Sequence, residues 1–329
     1  MSQDACTNGC RPSAPLVSIV TPSFNQAQFL EKTVRSVLSQ DYPNIEYIII
    51  DGGSTDGSVE IIKKYEDRLA YWVSEPDKGQ AHAINKGWQR ATGTIVAYLN
   101  SDDLYMPGTV TTAVQALQSQ PDECMVYSDA LMIDEHGRQL RRLIGRPFDI
   151  RHVITSEGFV PQPTAFIRRH ALDQVGLLDE RLHMCMDYDL WIRLGLHFPA
   201  RYLPGVYLAK AREHAAAKTT ANFGNFALER RRILDKVYCS PNIPPEILGL
   251  RGHAYSAVSF YQAAVAAYLG QPNQILEPLV RSLVESPSYV AARPVQTCGL
   301  LGRRLIPWWT GKPSPLIIKA WRRLNRVAY

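Results

Sequence analysis

The 329-residue sequence predicts an α/β fold, a mostly parallel sheet with helices on both faces, followed by a C-terminal α-helical extension. Three observations predict it. Short apolar runs rich in β-branched residues alternate with helically spaced stretches between Leu16 and Leu117. Three of those runs end in polar, loop-forming sequence. From residue 222 onward the pattern turns helical and is broken by prolines.

The first strand is Leu16 to Thr21 (LVSIVT), closed by Pro22 and followed by SFNQ. Phe29, Leu30, Val34, Val37 and Leu38 then recur at helical spacing within Gln26 to Gln40. Ile45 to Ile50 (IEYIII) is a second strand, ending at Asp51 and running into GGSTDGS. Val59 to Tyr65 reads as a helix, Leu69 to Val73 as a third strand and Gly79 to Ala91 as another helix. Ile95 to Leu99 is a buried strand that delivers Asn100, Ser101, Asp102 and Asp103 to its end, and a helix follows Pro107. Further strands fall at Met125–Ser128, Thr164–Ile167 and Val206–Ala209, with a hairpin turn over Asp134–Arg138 and a helix starting near Asp187. Alternating strands and helices imply right-handed crossovers and a sheet covered on both sides.

In such sheets ligands bind beyond the C-terminal ends of the strands. Pro22-Ser23-Phe24-Asn25, the loop from Asp51 to Asp56, and Asn100 to Asp103 all fall at that edge. Paired carboxylates there suit a hard divalent cation, which keeps positions open for substrate phosphates. Taken alone, the same acids serve equally as helix N-caps. No GxGxxG, GxxxxGK[ST], GxSxG or HExxH pattern occurs, which removes most support for a dehydrogenase, a P-loop NTPase, a serine hydrolase or a zincin.

The net charge of +5 is unevenly spread, with 18 basic and 25 acidic residues over 1–199 but 18 and 6 over 200–329. A basic C-terminal third suits an anionic membrane surface, a nucleic acid or an acidic partner. The tail's aromatics are too few for a nucleic-acid stacking platform, so no nucleic-acid role is expected. Trp308, Trp309 and Trp321 beside arginines fit peripheral contact with an anionic membrane, and a solvated helical appendage fits as well. The six cysteines are scattered, with Cys6 and Cys10 the one close pair. Reduced thiols in a cytoplasmic compartment, against the inner face of the cell membrane, are the expectation. MSQDACTNGCRPSAP carries no apolar core of a secretory signal and is expected to be a disordered tail over 1–14.

The stretches VSIVTPSFNQ, IIIDGGSTDGS, SEPDKGQAHAINKG, AYLNSDDLYMPG and MDYDLWIRL, in this order, resemble the family 2 inverting glycosyltransferases of GT-A fold. The resemblance spans about Pro15 to Thr220. It implies a glycosyltransferase domain over 15–220 with a basic helical extension over 221–329. It further implies attack by a hydroxyl of a glycan or lipid-linked acceptor on a nucleotide-diphosphate sugar, UDP-linked by expectation.

By that analogy Thr21, Pro22, Asn25 and Asp51 line the nucleoside site, and Ser54 and Asp56 close it. Asp77 and Lys78 lie near the base, ribose or diphosphate. Asn100-Ser101-Asp102 stands where the family has its Asp-x-Asp motif, with Asn100 in place of the first Asp. Asp102, Asp103 and His214 are then the expected ligands of Mn²⁺ or Mg²⁺, and Lys218 and Thr219 follow His214 in the same loop. Asp187 matches the general base, with Met186 where a second acid often stands, and Asp189 is expected to be structural. The other reading is a catalytically inactive nucleotide- or glycan-binding module whose helical tail recruits partners.

Overall fold

The computed structural model describes residues 14–214 and 225–305, with side chains to 301. The N-terminal tail, Lys218, Thr219 and the tryptophans of the basic tail lie outside the described residues.

The chain runs through β1 (Val17–Ser23), α1 (Ala27–Leu38), β2 (Ile45–Asp51), α2 (Ser58–Lys64), β3 (Tyr71–Ser74), α3 (Gln80–Arg90) and β4 (Ile95–Tyr98). It continues with β5 (Leu104–Tyr105), α4 (Thr109–Ser119), β6 (Met125–Ile133), β7 (Gln139–Leu143), α5 (Ile150–Ile154), β8 (Phe166–Arg168), α6 (Arg169–Val175), α7 (Met186–Gly195) and β9 (Ala200–Arg212). The helical region follows as α8 (Asn225–Tyr238), α9 (Pro245–Leu248), α10 (Arg251–Tyr268), α11 (Leu276–Glu285), α12 (Pro287–Ala291) and α13 (Pro294–Leu305).

One nine-stranded sheet has the order β3-β2-β1-β4-β8-β6-β9-β5, with β7 paired to β6. β1 to β4 are mutually parallel, β6 and β9 run with them, and β5, β7 and β8 run against them. The alternating βα pattern fixes the parallel half. The sheet departs from the expectation in its second half, where β6 and β9 are far longer than Met125–Ser128 and Val206–Ala209. A glycine, a proline and charges interrupt the apolar pattern there, while β6–β9 pairing supplies the ladder that local sequence does not signal.

Period-two alternation fills both faces. Tyr47 and Ile49 of β2 join Val17 and Ile19 of β1 beneath α1, α2 and α4. Ile48, Ile50 and Val20 face the other way, toward α3 and α7. On α1 the buried Phe29, Leu30, Val34 and Val37 form the stripe that spacing predicted, and burial of each contributes about 1.5–3 kcal/mol. α3 lies close on β1 because Gly87 has no Cβ; one there would sit 2.4 Å from Val20 Cγ1.

The helical region does not stand apart from this core. Phe226, Ile233, Leu234 and Val237 of α8, with Tyr255, Val258 and Tyr261 of α10, join the apolar cluster on the α7 side of the sheet. α10 and α11 pack as a helical hairpin stitched by Ser256 Oγ donating to the Ser282 carbonyl at 2.8 Å. Among the described residues no helix is long and apolar enough to cross a membrane.

Candidate functional site

Register brings the predicted loops together. Ser23, Asp51 and Ser74 are aligned across β1, β2 and β3, and Tyr98 ends β4 nearby, so all four strands discharge their loops at one edge. β9, running the same way, ends there with Arg212, and His214 follows two residues on.

The first two loops are laced to each other. Asn25, at a left-handed φ of 51°, donates its backbone N–H to Ser54 Oγ at 2.8 Å and accepts from Thr55 N at 3.0 Å. An asparagine tolerates that conformation because its short amide bonds locally. Asp56 accepts from Ala27 N, the first residue of α1, at 2.9 Å, and from Ser58 Oγ at 2.6 Å. Burial works against its ionised form, but the bonds from Ser58 and Ala27 outweigh it and hold its carboxyl below the usual range. Asp51 is fully buried and gathers Gly53 N, Ser54 N, Ser54 Oγ and Ser74 Oγ at 2.6–3.1 Å.

Expectation and geometry part here. The Thr21 hydroxyl is buried against Tyr47 Oη at 3.0 Å, and the carboxylates of Asp51 and Asp56 are engaged in organising the loops. Thr21 therefore does not present its side chain at the edge, whereas Phe24, 60% exposed, does. Asp77 accepts from Gly79 N at 2.6 Å, and its carboxylate crowds Gly52, where a Cβ would meet Asp77 Oδ2 at 2.7 Å. The adjacent Lys78 is exposed.

At the centre, Asn100 uses both ends of its amide. Oδ1 accepts from Gln80 Nε2 at 2.6 Å, while Nδ2 donates to Asp103 Oδ2 at 3.2 Å and to Gln162 Oε1 at 3.3 Å. An aspartate could not donate, so the departure from Asp-x-Asp has a local cause. Ser101 is buried, and its carbonyl and that of Asp103 accept from Thr33 Oγ1 of α1, each at 2.8 Å. Asp103 turns inward, accepting from Arg212 N at 2.8 Å. Burial, then the Asp102 charge, pushes its carboxyl well above the ordinary range, against the Arg212 and Asn100 donors. Both of its carboxylate oxygens are thus engaged within the protein.

Asp102 and His214 do meet. Their Oδ2 and Nε2 atoms are 3.0 Å apart although 112 residues separate them, and the imidazole packs on Phe29 at 4.8 Å between centroids. Among the described residues no group of three or more His, Cys, Asp or Glu side chains converges on one point. Two protein donors are nonetheless what Mg²⁺-like ions use, the rest coming from phosphates and water. At 3.0 Å the two atoms are hydrogen-bonded to each other, and a bound cation would take the place of that proton between them. Arg212 braces this pair: Nε donates to the Asp102 carbonyl and Nη1 to the Asp134 carbonyl, both at 2.8 Å.

Asp187 is the second residue of α7 and half-buried, with Oδ1 accepting from Tyr188 N at 2.8 Å. It belongs to the same edge: burial, then the Asp187 and Asp103 charges, raise the Tyr98 phenol far above its usual value. Asn85 of α3 holds the preceding loop, donating to Leu178 O at 2.9 Å and accepting from Leu178 N at 3.0 Å. Asp189 is 1% exposed and paired with Arg193 at 2.8 Å and Lys236 at 3.2 Å. Sequence reasoning passed over Gln80, Gln162 and Thr33. Arg212, two places before His214, carried a faint signal.

An uncharacterized glycosyltransferase of Mycobacterium tuberculosis is 33% identical over 193 residues, 56% of this chain and 70% of the relative. The Glycosyl transferase family 2 profile matches residues 18–176. The chain belongs to glycosyl transferase family 2. Over 136 residues it is 47% identical to TuaG of Bacillus subtilis, a putative teichuronic acid biosynthesis glycosyltransferase, covering 40% of this chain and 54% of TuaG. In fold it is similar to residues 1–349 of S. aureus TarS in complex with UDP-GlcNAc, with a TM-score of 0.63 at 16% identity over 94% of this chain and 92% of that TarS fragment. The expected GT-A architecture and the expectation of an enzyme are borne out, and the inactive-module reading gives way to a glycosyltransferase.

Proposed function

We propose that this family 2 glycosyltransferase transfers a sugar, with inversion, from a UDP-linked donor to a hydroxyl of a glycan or lipid-linked acceptor. The observation that carries the reading is the Asp102–His214 hydrogen bond of 3.0 Å at the strand-end edge, and the charge of Asp187 is felt there by Tyr98, the last residue of β4. TarS holding UDP-GlcNAc supports the uridine nucleotide, and TuaG's putative assignment to teichuronic acid biosynthesis supports a polysaccharide acceptor. The basic C-terminal sequence supports an acceptor presented at an anionic membrane.

In this reading the Asn25–Thr55 and Ser54–Asp51 lacing sets backbone walls for the nucleoside at Thr21 and Pro22, and Phe24 offers an aromatic face beside Asp77. Lys78 is free to approach the diphosphate, while Asn100 and Ser101 shape the floor. Asp102 and His214 would hold Mn²⁺ or Mg²⁺, which when bound neutralises charge on the diphosphate leaving group. Asp187 takes the acceptor's hydroxyl proton as its oxygen attacks the anomeric carbon and the bond to the diphosphate breaks on the opposite face. The Tyr188 N–H fixes one Asp187 oxygen and so the carboxylate's orientation.

Turnover of a panel of UDP- and GDP-sugars with Mn²⁺, with and without chelator, tests the reading. Asp187→Asn is expected to lose a factor of about 10²–10⁴ in kcat, and Asp102→Ala to lose metal-dependent UDP binding. Wild-type turnover in both variants would sink the assignment.

A further inference from the structure

We infer that Glu229, on the first helix of the C-terminal region, is a positioning residue for Asp187; the inference rests on the reading of Asp187 as base. α7 begins at Met186, and the side chain of its N-cap, Cys185, makes no capping bond. What holds the segment leading into the helix comes from α8. Glu229, 5% exposed, accepts from His183 N at 3.0 Å through Oε1, and from Met184 N at 2.7 Å and Cys185 N at 3.0 Å through Oε2. Three consecutive amides are thus fixed by one carboxylate from 44 to 46 residues away, immediately before the helix whose second residue is Asp187.

Two neighbours on α8 hold the same segment. The Arg230 guanidinium lies 4.7 Å over the Tyr188 ring, and Lys236 bridges Asp189 at 3.2 Å and Asp179 at 3.4 Å. A buried carboxylate is costly unless its oxygens are satisfied, and here what satisfies them is the backbone leading into the base. Glutamine keeps the size of Glu229 but offers one acceptor where the carboxylate offers two, and its amide group would face a backbone donor. Such a loop shifts, and a base displaced by about 1 Å loses about a hundredfold in rate. Glu229 bonds to the backbone before α7 and not to the loops at Asn25, Ser54 and Asp77, although a Cβ at Gly79 would lie 3.8 Å from His183 Nδ1, so donor binding is expected to change far less than turnover.

The test compares Glu229→Gln, Glu229→Asp, Lys236→Met and Asp187→Asn. It measures donor turnover with the best nucleotide sugar of the panel, and UDP binding with Mn²⁺ by calorimetry. Glu229→Gln is expected to lower kcat about a hundredfold while donor KM and the UDP Kd stay within about twofold. Glu229→Asp, which keeps the carboxylate, is expected to recover about tenfold of that loss. Lys236→Met, at a half-exposed side chain, is expected to lower kcat about threefold. Wild-type kcat in Glu229→Gln, or a kcat loss matched by an equal loss of UDP affinity, overturns the inference. If Glu229→Gln does not fold, Glu229→Asp decides, and wild-type kcat there overturns the inference. Wild-type turnover in Asp187→Asn removes the base reading and this inference with it; an inactive Asp187→Asn beside a fully active Glu229→Gln overturns this inference alone.

Discussion

Replacing Arg212 by methionine tests whether the Asp102–His214 pair is held in place from behind. The side chain is 6% exposed and donates to the Asp102 and Asp134 carbonyls at 2.8 Å and to Glu135 O at 3.2 Å. Its guanidinium also lies 4.7 Å over Phe29, the ring on which His214 packs. Two charge-assisted bonds at about 1.5 kcal/mol each and a cation–π contact of about 1 kcal/mol give a cost near 4 kcal/mol. In a chain of this size that lowers Tm by about 6 °C. Function should fall further than stability, because a bracing group behind a ligand pair is worth about 10–100-fold in metal affinity. Arg212→Lys keeps the charge but not the three-way donation, and should lie between the two. The assay pairs thermal melts without metal with calorimetric binding of UDP in Mn²⁺. An Arg212→Met protein that melts within a degree of wild type and binds Mn²⁺–UDP unchanged would refute the reasoning.

Asp56→Ala removes the carboxylate that caps α1 and should cost about 1 kcal/mol. Hydrogen bonds hold the Asp56 carboxyl below the ordinary 3.8. The stability gap is therefore complete above about pH 5 and shrinks as pH falls below that value, which urea midpoints at pH 7 and pH 3 will show. Gly52→Ala places a methyl 2.7 Å from Asp77 Oδ2. It should displace that carboxylate and weaken UDP binding about tenfold, since a shift of about 1 Å is enough to spoil a contact of this kind, with little change in Tm. Equal UDP affinity in Gly52→Ala and wild type would place Asp77 outside the donor site.

The helices and parallel strands of the first half were legible because each carries its own periodicity. Phe29, Leu30, Val34 and Val37 needed nothing but spacing to be recognised as a buried stripe. The long β6 and β9 were not, because their pairing with each other, rather than local propensity, supports the interrupted parts of both strands. At the site, the acids could be found but not sorted. Asp102 and Asp103 are adjacent and chemically identical in the sequence, yet one reaches His214 while the other is drawn inward by Arg212 N and Asn100. Which way each points depends on β9, more than a hundred residues on. Asn100 looked like a lost charge until Gln80, Gln162 and Asp103 were seen to need a group that both donates and accepts.

By itself the sequence determined the layered α/β frame, the convergence of three loops on one edge and the family signature that runs through them. These follow from short-range periodicity and from the rule that parallel strands release their loops at one end. Only the tertiary structure decided which carboxylate faces the site, why Asn100 is not an aspartate, and that α8 supports the segment leading into Asp187 through Glu229. Apart from the Asn100–Asp103 bond, those are contacts between residues 20 to 112 positions apart, and no local pattern encodes a partner at that distance.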